Sequence, residues 1–192
     1  TWAALGAQGS GELALQDMLS RWAEPQRHYH SLQHLRECID GFGRVAHLAQ
    51  RPAEVEAALW FHDAVYNLRE SGNEDKSAQL AQRCLAAAGV APDVVDRVVA
   101  LVLVTKHTGR PATPDEALLV DVDLSILGAA PERFDEYDRQ VVAEYSFAPR
   151  SVFRRKRHEI LVALASRPRL YATAHFHAAL DVQARANLAR AI

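Results

Sequence analysis

The amino-acid sequence predicts an all-α protein that folds as one domain. Apolar residues recur mostly at spacings of three and four, which is the period of an amphipathic helix, and alternating strand-like runs are scarce. The chain has 192 residues, of which 49% are hydrophobic and 24% charged. This composition is typical of a globular protein, and the length suits one well-buried core better than two. We therefore expect a single domain over residues 1–192, built as a bundle of eight to nine helices.

The helices can be placed in order from the apolar period. They are predicted at residues 12–23, 30–49, 53–66, 74–88, 92–106, 114–128, 131–144, 150–166 and 175–190. Prolines, which favour the first turn of a helix, lie at or near the predicted starts: Pro25, Pro52, Pro92, Pro114, Pro131 and Pro149. Glycines fall in the gaps: Gly72, Gly89 and Gly109. Residues 1–11 precede the first helix and are expected to form a loose end.

Charge, cysteine usage and hydropathy limit the possible partners. The 22 basic residues nearly balance the 24 acidic ones, and the net charge of −2 gives no general attraction to nucleic acid or to anionic membranes. The two cysteines form no CxxC motif, which favours a reducing cytoplasm. No apolar run approaches the roughly 18 residues that a membrane-spanning helix needs, so we expect no membrane partner.

The first candidate site is a histidine cluster near residue 30. His30 and His34 are four residues apart, so they lie on the same face of a helix and can reach one site. Histidine is a frequent metal ligand, but it is also common on solvated surfaces. This segment alone therefore does not distinguish the two interpretations.

The second candidate site is the His62-Asp63 pair, which lies inside the almost wholly apolar segment 57–66. A helix that is apolar all round is buried, and a buried imidazole or carboxylate is costly unless it is paired, hydrogen-bonded or bound to metal. A hydrogen bond between His62 and Asp63 is one way in which the cost of burying them could be compensated. Adjacent helical residues diverge by about 100°, however, so a shared external partner such as a metal ion is the simpler one.

The third candidate site contains Asp121 and Asp123 in the apolar segment 118–127. Two buried carboxylates need compensation, and a cation held by at least one of them would provide it. The alternative, a pair that caps a helix N-terminus, fits better at residues 113–116. Lys106 and His107 follow an apolar helix, where His107 is equally suited to a site or to the negative end of the helix dipole.

Taken in order, these clusters resemble the HD-domain superfamily of metal-dependent phosphohydrolases, whose pattern is H…HD…D. The segments HYHSLQHL, ALWFHDAVYN, NEDKSA, VTKHT, DVDLSILG and RPRLYAT, with the pair EY, resemble more closely a bacterial subgroup of predicted phosphohydrolases. The resemblance extends from about residue 27 to 188. It implies four metal ligands, which are His34, His62, Asp63 and Asp121. His30 is the alternative to His34 for the first position. Ala64-Val65 replaces the end of the fuller HDIG motif, so relatives with that motif are poor guides to substrate.

The resemblance implies hydrolysis of a small phosphorylated molecule. A site of imidazoles and carboxylates suits Mn²⁺, Fe²⁺, Co²⁺, Ni²⁺ or Zn²⁺, and Mg²⁺ is also possible. The ion would polarise a phosphoryl oxygen and lower the pKa of an attacking water. Candidates to orient this water, besides Asp63, are Asp123 and Glu74. Candidates to hold the phosphate are Arg27, His30, Lys106 and His107. The basic run 150–158 is more typical of a solvated helix face.

Two other functions remain open at this level. Helical scaffolds of the same kind can hold two irons and oxidise their substrates, and His30 and His107 could supply the additional ligands. Alternatively, a closed metal site with no free coordination position would indicate a non-catalytic binding module.

Overall fold

A computed structural model describes all 192 residues as an all-helical protein with no β-strand. The helices are α1 (Glu12–Trp22), α2 (Leu32–Val45), α3 (Pro52–Phe61), α4 (Asn73–Ala87), α5 (Pro92–Val104), α6 (Pro114–Asp123), α7 (Pro131–Glu144), α8 (Arg150–Ala165) and α9 (Ala174–Ala191). Three short 3₁₀ segments cover Ala3–Leu5, Ala46–Leu48 and Leu124–Gly128. The predicted all-α class and the number of helices are confirmed.

The helix starts follow local capping chemistry. Four helices (α3, α5, α6 and α7) begin at a proline, which loses nothing there because the first N–H groups of a helix have no intrahelical partner. The side chains of Ser31, Thr113 and Thr173 accept hydrogen bonds from backbone N–H groups in the first turns of α2, α6 and α9. These caps explain why most predicted boundaries differ little from the observed ones.

One predicted boundary is wrong in a way that matters for the site. The apolar run predicts a helix to residue 66, but α3 ends at Phe61, with His62 as its C-cap residue. Asp63 therefore lies in the following turn, and the 100° divergence of adjacent helical residues does not govern the His62-Asp63 pair. The run stays apolar beyond Phe61 because Ala64 is buried in the turn, not because the helix continues.

The core forms around α3, which packs against α2, α4, α5 and α6. Val55, Ala58 and Leu59 are completely buried, as expected for the central helix of a bundle. The N-terminal segment, predicted to be loose, is packed onto this core: Leu5 is buried, and the backbone N–H of Gln8 donates to the carbonyl of Ala88. None of the helices combines the length and apolarity required to cross a bilayer.

The 3₁₀ segment Leu124–Gly128 is anchored to α9. The buried amide of Asn187 donates to the carbonyls of Leu127 and Ala129, each at 2.9 Å. The backbones approach closely here, because a Cβ added at Gly128 would lie 2.6 Å from the Cβ of Leu180 and 3.0 Å from its carbonyl oxygen. Only glycine fits at this crossing.

We expect Gly128→Ala to lower the free energy of unfolding by about 1–3 kcal/mol, because an added methyl group overpacks the contact with α9. Gly43→Ala is the matched control. Gly43 lies within α2 with no atom near its added Cβ, so alanine should stabilise the protein there by about 0.5–1 kcal/mol. Urea denaturation of both variants measures the effects. Equal stabilities of the two variants would contradict the close approach.

Candidate metal centre

Three side chains from three helices meet in one small cluster. The Nε2 atoms of His34 and His62 are 3.2 Å apart, and Asp123 Oδ1 lies 3.3 Å from the first and 3.6 Å from the second. His34 lies in α2, Asp123 in α6 and His62 at the C-cap of α3, which packs against both of the other helices. The cluster is thus a product of the central packing of the bundle.

The spacing of these three atoms fits a metal ion. They form a nearly equilateral triangle, and a point equidistant from them lies about 2 Å from each, close to the ~2.0–2.2 Å of Zn²⁺ bonds to histidine nitrogen and carboxylate oxygen. Two neutral imidazoles and a carboxylate carry a net negative charge that a cation would compensate. The donor set therefore fits a transition-metal dication.

The tautomer of His62 is set by its own helix. Its Nδ1 lies 2.8 Å from the carbonyl oxygen of Leu59, and since a carbonyl only accepts, Nδ1 must carry the proton. The lone pair of a neutral His62 is then on Nε2, the atom that faces His34 and Asp123. A backbone carbonyl that fixes the ring in this way is a common feature of metal-bound histidines.

Trp22 packs against both imidazoles. Its ring centroid lies 5.3 Å from that of His62 and 6.1 Å from that of His34, and its indole N–H donates to the carbonyl of Trp60 at 3.0 Å. Trp22 is completely buried. It therefore limits both the movement of the two rings and the access of water from its side.

Burial and charge act in opposite directions at the centre. Burial lowers the pKa of His34, and this effect outweighs the neighbouring Asp123 carboxylate, so the imidazole favours the neutral form that binds metals. Burial would raise the pKa of Asp123, but hydrogen bonds with His107 and His34 hold it well below its ordinary value. Asp123 is thus kept as a carboxylate.

His107 approaches the centre from the end of α5. Its Nε2 lies 3.1 Å from Asp123 Oδ2, the oxygen not used by His34 and His62. The backbone of His107 adopts φ 53°, in the left-handed region that costs energy for a residue with a side chain. His107 therefore lies beside the cluster, in contact with Asp123, and its role in binding phosphate stays a prediction.

Asp63 and His30 lie on the other side of the cluster. Asp63 Oδ2 is 3.5 Å from His62 Nε2 and 3.9 Å from His30 Nε2. Asp63 is not part of the group whose ligand atoms all lie within 4.8 Å of one another, which consists of His34, His62 and Asp123. Because α3 ends at Phe61, Asp63 lies in a turn, and its side chain is directed toward His30 and His62.

Glu144, at the end of α7, holds the segment that carries His30. Its Oε1 accepts hydrogen bonds from the backbone N–H groups of His28, Tyr29 and His30 at 2.8–2.9 Å. Its Oε2 lies 2.8 Å from His30 Nδ1 and accepts from the Tyr66 hydroxyl at 3.2 Å. Burial would raise the pKa of Glu144, but the hydrogen bond with His30 and the backbone N–H groups lower it to about 2.

The same contacts affect His30. Burial lowers the pKa of its imidazole, but the hydrogen bond with Glu144 and the negative charge of Asp63 outweigh burial and raise it. His30 therefore holds its proton more readily than His34 does.

Arg27 does not have the role that the sequence predicts. Its side chain is fully buried and donates to the carbonyls of His30, Asp63 and Ala64 at 2.7–3.2 Å. A guanidinium used in this way cannot hold a substrate phosphate. Arg27 instead ties the His30 segment to the turn after α3.

Asp121, predicted as a metal ligand, is not brought to the cluster, and the acid that lies beside His34 and His62 is Asp123. Asp121 Oδ1 accepts from the backbone N–H of Ala172 at 2.8 Å, and Oδ2 accepts from the N–H and hydroxyl of Thr173 at 2.7 and 2.6 Å. Two residues along a helix diverge by about 200°, so only one of these two acids can face His34. Asp121 holds the start of α9.

Two further predicted residues also lie apart from the cluster. Lys106 pairs with Asp75 at 2.6 Å near the surface, linking α4 to the end of α5. Glu74 lies in the first turn of α4, where its charge favours the helix dipole, and has no hydrogen bond or ion pair with the cluster residues. Their predicted roles in binding phosphate and orienting water gain no support from these positions.

A pocket of about 400 Å³ borders the cluster, lined by His34 and Asp123 and by residues of α2, the 3₁₀ segment and α7. Its charged lining residues are three arginines and three acids: Arg36, Arg44, Arg133, Glu37, Asp40 and Asp123. The guanidinium of Arg133 is held by Glu37 at 2.7 and 2.9 Å. The centre can therefore be reached by a small polar molecule.

Glu144 was not singled out as a functional residue at the sequence level, although a signal was present. Phe134, Tyr137 and Val141 are buried, and their spacing of three and four residues continues to Glu144. An acid on the buried face of an amphipathic helix needs a partner. Asp123 was singled out as a buried acid, but no signal distinguished it from Asp121 as the neighbour of the histidines, because Leu118 to Val122 are all buried and the helix has no exposed side to orient it.

Comparison of the chain with protein-family models, with curated proteins and with solved structures gives no match. The arguments about function that follow therefore depend on the geometry of the centre.

We expect Asp121→Asn and Asp123→Asn to have different effects. Asp121→Asn removes a charged acceptor from three donors, so it should lower the free energy of unfolding by about 1–3 kcal/mol and leave Mn²⁺ affinity unchanged. Asp123→Asn should weaken Mn²⁺ binding more than about tenfold. Urea denaturation and Mn²⁺ titration by electron paramagnetic resonance measure the two effects. Loss of Mn²⁺ binding in Asp121→Asn alone would restore Asp121 as the ligand.

Glu144 should also make stability depend on pH. Its pKa is lower in the folded protein than its ordinary value of 4.5, so its stabilising contribution is present above pH 4.5 and is lost as the pH falls toward 2. The stability difference between wild type and Glu144→Gln should shrink by about 3 kcal/mol over that range. Thermal or urea unfolding at several pH values measures it. A difference that does not change with pH would contradict the buried, ionised carboxylate.

Proposed function

We propose that this centre binds a divalent metal ion and that the protein hydrolyses a phosphate ester of a small metabolite. The observation that carries the proposal is the mutual approach of His34 Nε2, His62 Nε2 and Asp123 Oδ1 at 3.2–3.6 Å. Asp63, at 3.5 Å from His62, is the fourth ligand in this proposal. A divalent ion held there would act as a Lewis acid toward a phosphoryl oxygen and would lower the pKa of a water molecule.

The surrounding side chains would support such a centre by keeping its donors fixed. Leu59 fixes the tautomer of His62 through its carbonyl, His107 orients the Asp123 carboxylate, and Trp22 restricts both imidazoles. Loss of a partner of this kind commonly costs about 10–100-fold in metal affinity or activity. The chain would thus present its ligands with little reorganisation.

The adjoining pocket supports a small anionic substrate. Two of its arginines, Arg36 and Arg44, are exposed and are not held by an acid, so they are available to attract a phosphate group. Asp40 and Asp123 also line the pocket, so the positive charge of these two arginines and that of a bound dication would together have to attract the phosphate. The two free cysteines are compatible with the reducing compartment that the sequence predicts.

The first experiment is elemental analysis of the purified protein, followed by assays of phosphate release after chelation and after restoration of Mn²⁺ or Zn²⁺. The substrates are a panel of nucleotides, sugar phosphates and pyrophosphate. We expect near-stoichiometric metal and chelator-sensitive phosphate release. His62→Ala should lose the metal and more than about 100-fold of the activity, because loss of an outer-shell partner alone commonly costs 10–100-fold.

The matched control is His28→Ala. His28 is exposed, and only its backbone N–H contacts Glu144, so its replacement should change neither metal content nor phosphate release. Stoichiometric iron without phosphate release would favour the oxidative alternative. Absence of both retained metal and metal-stimulated activity would disprove the proposal and leave a binding module.

A further inference from the structure

We infer that Glu144 is a positioning residue that fixes both the place and the tautomer of His30 at the edge of the centre. The catalytic consequence of this inference rests on the proposed function. Its geometric part does not, and it can be measured without any metal or substrate.

The first argument concerns the place of His30. One oxygen of Glu144 accepts three consecutive backbone N–H groups, those of residues 28–30, at 2.8–2.9 Å. Three N–H dipoles that converge on one point repel each other unless an anion lies between them. A neutral side chain would be a much weaker acceptor for all three. The path of the chain just before α2 therefore depends on the negative charge of Glu144.

The second argument concerns the tautomer. An ionised carboxylate accepts hydrogen bonds and donates none, so His30 Nδ1, 2.8 Å from Glu144 Oε2, must carry a proton. This leaves Nε2 as the ring atom that faces Asp63, at 3.9 Å. Tyr66, which donates to the same Glu144 oxygen, also packs against the ring with centroids 4.4 Å apart.

The third argument concerns what this orientation achieves. Asp63 Oδ2 lies within 3.9 Å of the Nε2 atoms of both His30 and His62, so His30 extends the row of polar atoms of the centre. Its side chain is 23% exposed, whereas those of His34 and His62 are 3% and 1% exposed. His30 is therefore the most exposed imidazole of this row, although it does not line the pocket that borders His34 and Asp123. A ring flip would replace Nε2 by carbon-bound hydrogen and would remove this contact.

The test uses Glu144→Gln in metal-free protein with ¹⁵N-labelled histidine rings, observed by NMR above the pH at which the imidazoles are protonated. The signals of His30 are assigned by their loss in His30→Gln. We expect the Nδ1-protonated tautomer in wild type and a mixture of tautomers in Glu144→Gln. With metal and substrate, kcat should fall by about 10–100-fold and KM should change little. Tyr66→Phe, which removes one donor to Glu144, should give a smaller effect.

Glu54→Gln is the matched control. Like Glu144, Glu54 is a buried glutamate, and it accepts two hydrogen bonds from Arg97 at 2.8 Å. It lies in the first turn of α3, at the opposite end of this helix from His62. Its replacement should lower stability without changing the tautomer of His30 or kcat.

Two results would overturn the geometric inference: a wild-type His30 protonated on Nε2, and an unchanged tautomer in Glu144→Gln. A changed tautomer with unchanged kcat would overturn its catalytic consequence and give Glu144 a structural role only. The wild-type measurement decides the geometry even if Glu144→Gln does not fold. If the wild-type protein releases no phosphate from any ester, the proposed function fails, while the NMR result still decides whether Glu144 fixes His30.

Discussion

Buried charged groups must be compensated, and this constraint organises the structure around the centre. Three buried acids are compensated by backbone N–H groups. Asp115 accepts from residues 50 and 51 before α3, Asp121 from residues 172 and 173 before α9, and Glu144 from residues 28–30 before α2. Each carboxylate thus fixes the start of a helix that is distant in sequence. Two of these helices, α2 and α3, carry the histidines of the centre.

Asp123 differs from these acids because its partners are imidazoles. His34 and His62 face one of its oxygens and His107 faces the other. Imidazoles can exchange a proton for a metal ion, whereas backbone N–H groups cannot. This difference in partner chemistry, and not the degree of burial, separates Asp123, whose neighbours are potential metal ligands, from the acids that hold the chain together.

The sequence indicated where buried acids occur but not what compensates them. The resemblance assigned His34 and His62 to one site, and the two imidazoles are neighbours in the structure. Asp121 was chosen over Asp123, although only Asp123 faces the histidines. The donors that hold Asp121, in Ala172 and Thr173, lie about 50 residues away, and nothing in the local pattern reveals them. Arg27 was misassigned for the same reason, since its acceptors are distant carbonyls.

By itself, the sequence determined the all-α class, the number of helices and most of their boundaries. These features depend on the local period of apolar residues and on prolines and capping side chains, which act within a few residues. Only the tertiary structure decided that α3 ends at Phe61, that Asp123 faces the histidines and that Glu144 holds the His30 segment. These features depend on contacts between helices far apart in the chain, and the direction of a side chain on a helix buried all round is set by its neighbours in space.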